Sequence, residues 1–363
     1  MSQSNFSPRS FRKRSRHLLQ ESFSLNIKDL AQHLGISIGT VSRALNDKPD
    51  VNAKTRERVL NAAVELGYSA NASGRSLRRG TTQTIGFMLE TGQTKLWSGD
   101  NFFMPAIDAM LAELEREGYD LIILPCHSAT DPTAFLKRVI ARGTTDAIVV
   151  TTTMKNDPRI EFLLKSRLPF LTLGRSSLAD QHPWIDLDLE GYVGQTIRKL
   201  VELGHKRIAI TVPPALSHIT SLLRQTFKKA IAETGLEFDP DLIFECEVSE
   251  SGGHQVTRQL LDMPNRATAL LLNYDLMAFG VYSALQEAGL SPGKDLSVAA
   301  LRRSKPLPFL HPPLTAYDID LKELGQTIAR EVLKVLRDSS HKTKIAWPAT
   351  MTITESLAPP AGS

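Results

Sequence analysis

Apolar residues along this chain follow two different rhythms. Between Asn26 and Leu66 they recur three and four positions apart, the spacing of one face of a helix. Leu30, Ala31 and Leu34 make the first stripe, Val41, Ala44 and Leu45 the second, and Val59, Ala62 and Ala63 the third. Ser24 or Asn26 can cap a helix running to about Leu34, with Asp29 in its first turn, where the helix dipole favours an acid. Gly35 breaks that helix, Ser37 caps the next, and Thr40 sits three positions on. A third helix is expected over residues 53–66, ending at Gly67. Three short helices with such a turn fit a helix-turn-helix DNA reader over residues 24–70. A generic three-helix bundle would space its apolar residues in the same way.

From Thr84 the rhythm changes to short apolar runs alternating with amphipathic stretches. Strands are predicted at residues 85–89, 121–124, 147–151 and 170–173, and a second set at 208–212, 269–272 and 296–300. Helices between them include residues 107–117, 192–203, 221–233 and 276–288. This alternation predicts parallel sheets covered on both faces. Two sets predict two lobes, with a ligand crevice beyond the carboxyl ends of their strands.

Charge separates the same two regions. Residues 1–80 hold fourteen Lys or Arg against six Asp or Glu, a net of +8, within a chain of net +4. The remainder is therefore −4, a division that suits a DNA-contacting end on a mildly acidic body. Residues 1–23 read as a disordered basic arm carrying Arg9, Arg12, Lys13, Arg14 and Arg16. At 363 residues the chain is long enough for a small module and one or two larger ones. Cys126 and Cys246 make no disulfide framework, which suits a reduced, cytoplasmic setting. No run of 18 apolar residues and no apolar stretch behind the basic N-terminus occurs, so neither a membrane span nor a secretory signal is expected. There is no Walker loop, no Rossmann glycine fingerprint and no His/Cys set at metal spacing. The nine histidines are scattered, and His205, at a helix end before a strand, reads as structural. The expectation is a binding protein with no catalytic residues, metal or cofactor.

Three segments carry a specific resemblance: TVSRAL at 40–45, VNAKTRERVLNAAVELGY at 51–68 and NASGRSL at 71–77. Together they resemble the LacI family of bacterial transcriptional regulators. In that family the second helix enters the major groove. The resemblance places Ile38 and Gly39 at the first base-reading positions and Arg43 about one turn later, where it can pair bidentately with guanine. Ser37, Thr40 and Ser42 would hold phosphates, and Asn52 and Thr55 would cap and anchor the third helix. Ile38 and Gly39 depart from the polar residues common there. Ile38 offers only apolar contact, for example with a thymine methyl. Residues 71–83 would be hinge helix and linker, with Asn71, Arg75 and Leu77 in the minor groove and Leu77 as the apolar wedge that unstacks a base step. Gly74, together with Ala70 in place of a common proline, implies a hinge that orders only on DNA.

The body, residues 84–363, also resembles the family core through PFLTLGR at 169–175, LGHKRIAI at 203–210, NYDLMAFGVYSAL at 273–285, KDLSV at 294–298 and PPLTAYDID at 312–320. The implied fold is multidomain: an N-terminal all-α helix-turn-helix plus an α/β periplasmic-binding-protein-like core of two parallel-sheet lobes. The implied partners are a pseudo-palindromic double-stranded operator, a second copy of the chain, and a small-molecule effector, often a sugar. Repression is the commoner outcome in the family. Asp275 matches an effector-contacting aspartate, with capping of the following helix as its alternative role. Phe102 and Phe103 match an aromatic pair after the first strand, where a ring could stack on a sugar face, and Asn101 lies beside them as a candidate polar contact. Two departures bear on the ligand. Leu223 stands where relatives carry arginine, and Arg224, one place on, is the candidate effector contact in its stead, although about 100° further around the helix. The family's Gly-Phe-Asp-Asp is here Ala300, Leu301, Arg302 and Arg303. Two bases for two acids would favour a phosphorylated or carboxylated ligand, unless they are solvated surface charges.

Overall fold

Local chemistry sets the boundaries of the first three helices. In the computed structural model, which describes residues 26–68, 81–91, 102–126, 131–214 and 218–361, α1 spans Ile27–Leu34. Asn26 is its cap. The Asn26 amide oxygen accepts from the backbone N–H of Lys28 at 2.8 Å, and Asp29 accepts from that of Asn26 at 2.9 Å. This reciprocal box satisfies N–H groups that a helix start leaves open. Gly35 ends the helix at φ +65°, a conformation that glycine adopts without steric cost. Helix α2 is Ile38–Leu45, capped by Ser37, and α3 is Ala53–Glu65, capped by Asn52. Leu30, Val41 and Val59 are fully buried between the three helices, with Ala31, Ala44, Ala62 and Ala63 around them. Full burial of each Val or Leu contributes about 1.5–3 kcal/mol, so this small unit rests on few side chains.

The chain divides into two compact units, the second being residues 83–363. Its first sheet is built from β1 (Thr84–Glu90), β2 (Asp120–Cys126), β3 (Ala147–Thr151), β4 (Phe170–Leu173), β5 (Trp184–Leu187) and β11 (Lys344–Trp347), in the order β11-β5-β4-β3-β1-β2 and parallel throughout. Helices α4 (Phe103–Arg116), α5 (Pro132–Arg142) and α6 (Pro158–Leu164) alternate with its strands. The second sheet holds β6 (Ile208–Val212), β7 (Ile243–Glu245), β8 (Ala269–Leu272), β9 (Ser297–Ala300), β10 (Thr315–Asp318) and β12 (Thr350–Thr352), in the order β12-β10-β9-β8-β6-β7. Its helices are α7 (Leu189–Glu202), α8 (His218–Glu233), α9 (Glu250–Leu261) and α10 (Met277–Glu287), while α11 (Leu321–Arg337) packs on α4 of the first lobe. One strand departs from the expected wholly parallel pattern: β12 runs antiparallel to β10 at the sheet edge.

The chain passes between the lobes after β5, after β10 and again between β11 and β12. Two tyrosines tie these crossings together. The Tyr192 and Tyr317 rings stack at 4.6 Å, Tyr192 donates to the Trp347 carbonyl at 2.7 Å, and Tyr317 donates to the Tyr192 carbonyl at 2.8 Å. Burial pushes both phenols up, Tyr317 to about 12, so they remain hydroxyl donors across the physiological range. Among the described residues no helix is long and apolar enough to cross a membrane.

Candidate functional site

In the three-helix unit, α2 turns Val41 and Ala44 inward and leaves Ile38, Gly39 and Arg43 exposed on the opposite side. Ile38 is 44% exposed, a large apolar group presented to water. The Ser37 hydroxyl accepts from the Thr40 backbone N–H at 3.0 Å, and the two hydroxyls lie 2.9 Å apart. Among the described residues Arg43 pairs with the exposed Asp50, at 3.4 Å, an open pairing that holds it weakly. Ser42 and Thr55 are half-buried, and Asn52 accepts from Lys54 N–H at 2.8 Å as the α3 cap. Asn71, Arg75 and Leu77 lie outside the described residues.

In the second unit a cavity of about 270 Å³ opens between the lobes, at the carboxyl ends of β3, β4, β5, β6, β8 and β9. Loops beyond strand ends are free to carry polar groups, because the strands below them supply the rigid core. The first lobe contributes Phe102, Phe103, Thr152, Arg175 and Asp186. The second contributes His218, Leu223, Asn273, Tyr274 and Arg302. Gly174, at φ +115°, lets the backbone pass where a Cβ would meet the Thr153 hydroxyl at 2.6 Å.

Two arginines organise the polar part. Arg175 donates to Asp186 at 2.8 Å and through both terminal nitrogens to Glu190 at 2.8 and 2.7 Å, and it lies 5.2 Å from the Trp184 ring. Its two acids shift in opposite directions. Burial pushes Asp186 up despite the arginine, whereas at the less buried Glu190 the bidentate pair outweighs burial and holds the carboxyl low. Arg302 donates to Oδ1 of Asp275 at 3.1 and 2.8 Å. Its guanidinium also lies 5.3 Å from the Phe102 ring and 5.2 Å from the Tyr274 ring, one from each lobe. His218 is pushed down by burial and then by Arg175, so its imidazole is neutral at pH 7, and its buried Nδ1 has no hydrogen-bond partner.

Several expectations are relocated. Asp275 is fully buried and does not line the cavity: Arg302 covers it, and its Oδ2 has no hydrogen-bond partner. It does not cap α10 either, since that helix starts without a side-chain cap. Arg224, expected near the ligand, faces away. Leu223 takes the inward position, and Arg224, about 100° around the helix, pairs with Glu245 at 2.8 Å. Arg302 lines the cavity as expected, while Arg303 pairs with Asp318 at 3.3 Å outside the lining. Phe102 and Phe103 both line it, Phe103 also meeting Phe87 edge-on at 5.8 Å. Asn101 lies outside the described residues. Arg175, Asp186, Glu190, His218, Asn273 and Tyr274 were not singled out from the sequence. The position of Arg175, directly after a strand in PFLTLGR, was the one signal available.

An exposed reading helix on a small three-helix unit, together with a two-lobed body whose ring-lined, mostly apolar cavity holds a few polar groups, defines a ligand-binding, DNA-binding protein. Residues 26–71 match the model of the bacterial regulatory proteins of the lacI family, and residues 197–356 that of the periplasmic binding protein-like domain. The HTH-type transcriptional regulator AglR of Rhizobium meliloti (strain 1021) is 32% identical over 344 residues, covering 92% of this chain and 95% of that protein. The crystal structure of the Lac repressor bound to ONPG in the repressed state superposes with a TM-score of 0.79 at 25% identity, over 92% of this chain and 99% of that one. The complex of the transcriptional regulator CelR with cellobiose shares the fold, with a TM-score of 0.68 at 23% identity over 92% and 99% of the two chains. The chain belongs to the LacI family of bacterial transcriptional regulators: it is a sequence-specific DNA-binding regulator with an effector-binding core, and not an enzyme.

Proposed function

We propose that this protein is a cytoplasmic, homodimeric repressor of a carbohydrate uptake or catabolism operon. Its affinity for a pseudo-palindromic operator is set by a sugar or sugar derivative in the inter-lobe cavity. The observation that carries this reading is the cavity itself, where three aromatic rings and convergent amide, hydroxyl and carboxylate groups meet at the strand ends. Rings stack on the apolar face of a sugar, while fixed polar groups read its hydroxyls. The cellobiose held by CelR, on the same fold, is consistent with it.

On the DNA side, Arg43 reads a base, Ile38 contacts a thymine methyl, and Ser37, Thr40 and Ser42 hold phosphates around the close backbone approach of Gly39. Asn52 and Thr55 anchor α3, and Asn71, Arg75 and Leu77 take the minor groove. Two copies are required because one small reader touches too few base pairs for useful specificity. The test is selection of a preferred duplex from a random pool, followed by titration against a scrambled duplex at fixed salt. A regulator prefers its site by about 4 kcal/mol or more. Equal affinity for both duplexes would instead make the protein an architectural DNA binder.

A further inference from the structure

Among the described residues the charged groups around the cavity are paired, and this limits which ligands can enter. Among the described lining residues, the groups that carry or can acquire charge near neutral pH are Arg175, Asp186, His218 and Arg302. Arg175 is bound by Asp186 and Glu190, and Arg302 by the fully buried Asp275. Two guanidinium groups thus face three carboxylates, with His218 neutral. Were Asp186 to hold a proton, the sum would be zero. In neither state is there positive charge in excess. The exposed Lys155 influences His218 from outside the lining, where water screens it.

A phosphate or carboxylate entering this space meets guanidinium groups whose charge a carboxylate already balances, so it gains a full counter-charge only by drawing a guanidinium from its present partner. At Arg302 the abandoned partner is Asp275, whose second oxygen already lacks a hydrogen bond. Stranding a buried carboxylate is strongly unfavourable. Hydroxyl groups require no such exchange. Asn273, Thr152 and the Asp186 carboxylate line the cavity and can bond to hydroxyls with both ion pairs intact. Phe102 and Tyr274 supply ring faces beside them.

We infer that the cavity selects uncharged carbohydrates and rejects their phosphorylated and carboxylated forms, with the Arg302–Asp275 pair as the discriminating element. This rests on the reading of the cavity as the effector site, and it reverses the preference that Arg302 and Arg303 suggest as sequence alone.

The test is calorimetric titration and thermal shift of the full-length protein with matched probes: glucose and glucose 6-phosphate, glucose and glucuronate, galactose and galactose 6-phosphate, cellobiose and cellobionate, and the uncharged non-sugars uracil and adenine. The expected result is that a neutral sugar binds and its anionic form binds at least about a hundredfold more weakly. Asp275→Asn, which removes the buried carboxylate that balances Arg302, should narrow that gap to less than about tenfold. If that variant does not fold, the wild-type pairs decide the matter alone. A sugar phosphate or sugar acid that binds as tightly as its neutral parent overturns the selectivity and leaves the carbohydrate reading standing. Binding of uracil or adenine with no sugar bound, or no binding by any probe, removes the carbohydrate reading and this inference with it.

Discussion

The reading helix and the inter-lobe cavity use charge in opposite ways. On α2, Arg43 stands exposed with one loose partner, while at the cavity every lining guanidinium is already bound to buried or half-buried carboxylates. DNA brings its own dense negative charge, so a reader keeps cations available and gains from counterion release. A cavity for an uncharged molecule has the reverse need. Its charges must be balanced before the ligand arrives, so that they orient polar groups without demanding a counter-charge. The contrast extends into the first lobe, where Arg159 and Asp157 are both buried and pair at 2.6 Å. At these sites the body pairs its charges internally, whereas Arg43 of the reader is presented to solvent.

The largest effect that sharpens this contrast is on stability. Asp157→Ala leaves Arg159 a buried cation without its carboxylate and should destabilise the body by about 3–5 kcal/mol, read from urea unfolding. A loss below 1 kcal/mol would mean that the pair is not sealed from water. Arg43→Ala should do the opposite. Its exposed pair with Asp50 contributes at most about 1 kcal/mol to stability, yet discrimination at one position of each half-site should fall by about 1–3 kcal/mol. Equal weakening on every duplex would reassign Arg43 to a phosphate. Ser37→Ala removes the α2 cap and should lower the melting stability of the small unit by about 0.5–2 kcal/mol, checked by circular dichroism of the full chain.

The smallest effect is a pH dependence inside the body. Burial would raise the Glu331 carboxyl, but bonds from Lys334, Thr343 and His341 outweigh it and hold it at about 2, below its ordinary 4.5. A carboxyl depressed on folding stabilises fully above its unfolded value and loses that contribution as pH falls toward the folded one. The stability gap between wild type and Glu331→Gln should therefore be wider at pH 6 than at pH 3. A gap independent of pH would contradict the assignment.

The two regions also differ in how far their sequence reveals them. The reader is local. Asn26, Gly35, Ser37 and Gly67 act within three or four residues of the helices they bound, and spacing shows which side of α2 is buried. Arg224 was misplaced: its candidacy as an effector contact needed the helix to turn, and the separation of about 100° between it and the inward Leu223 leaves it paired with Glu245 instead. The cavity is assembled from distant segments. Arg175 meets Glu190 across 15 positions and Arg302 meets Asp275 across 27, and no periodicity links such pairs. Strands β5, β7, β10, β11 and β12 escaped detection: they are only three or four residues long, and Asp186, Lys344 and the threonines of β10 and β12 interrupt the apolar runs that mark central strands. Strands β5, β10, β11 and β12 flank the crossings between lobes, so the hinge of the body was the least legible part of its fold.

The central claim is that occupancy of the cavity changes how the protein holds DNA. Its most direct test is the affinity of the full-length protein for its selected operator, with and without a saturating concentration of the sugar that binds best. The account predicts a change of at least about fivefold, in the range of an ordinary coupling free energy. Saturable sugar binding with operator affinity unchanged would contradict it.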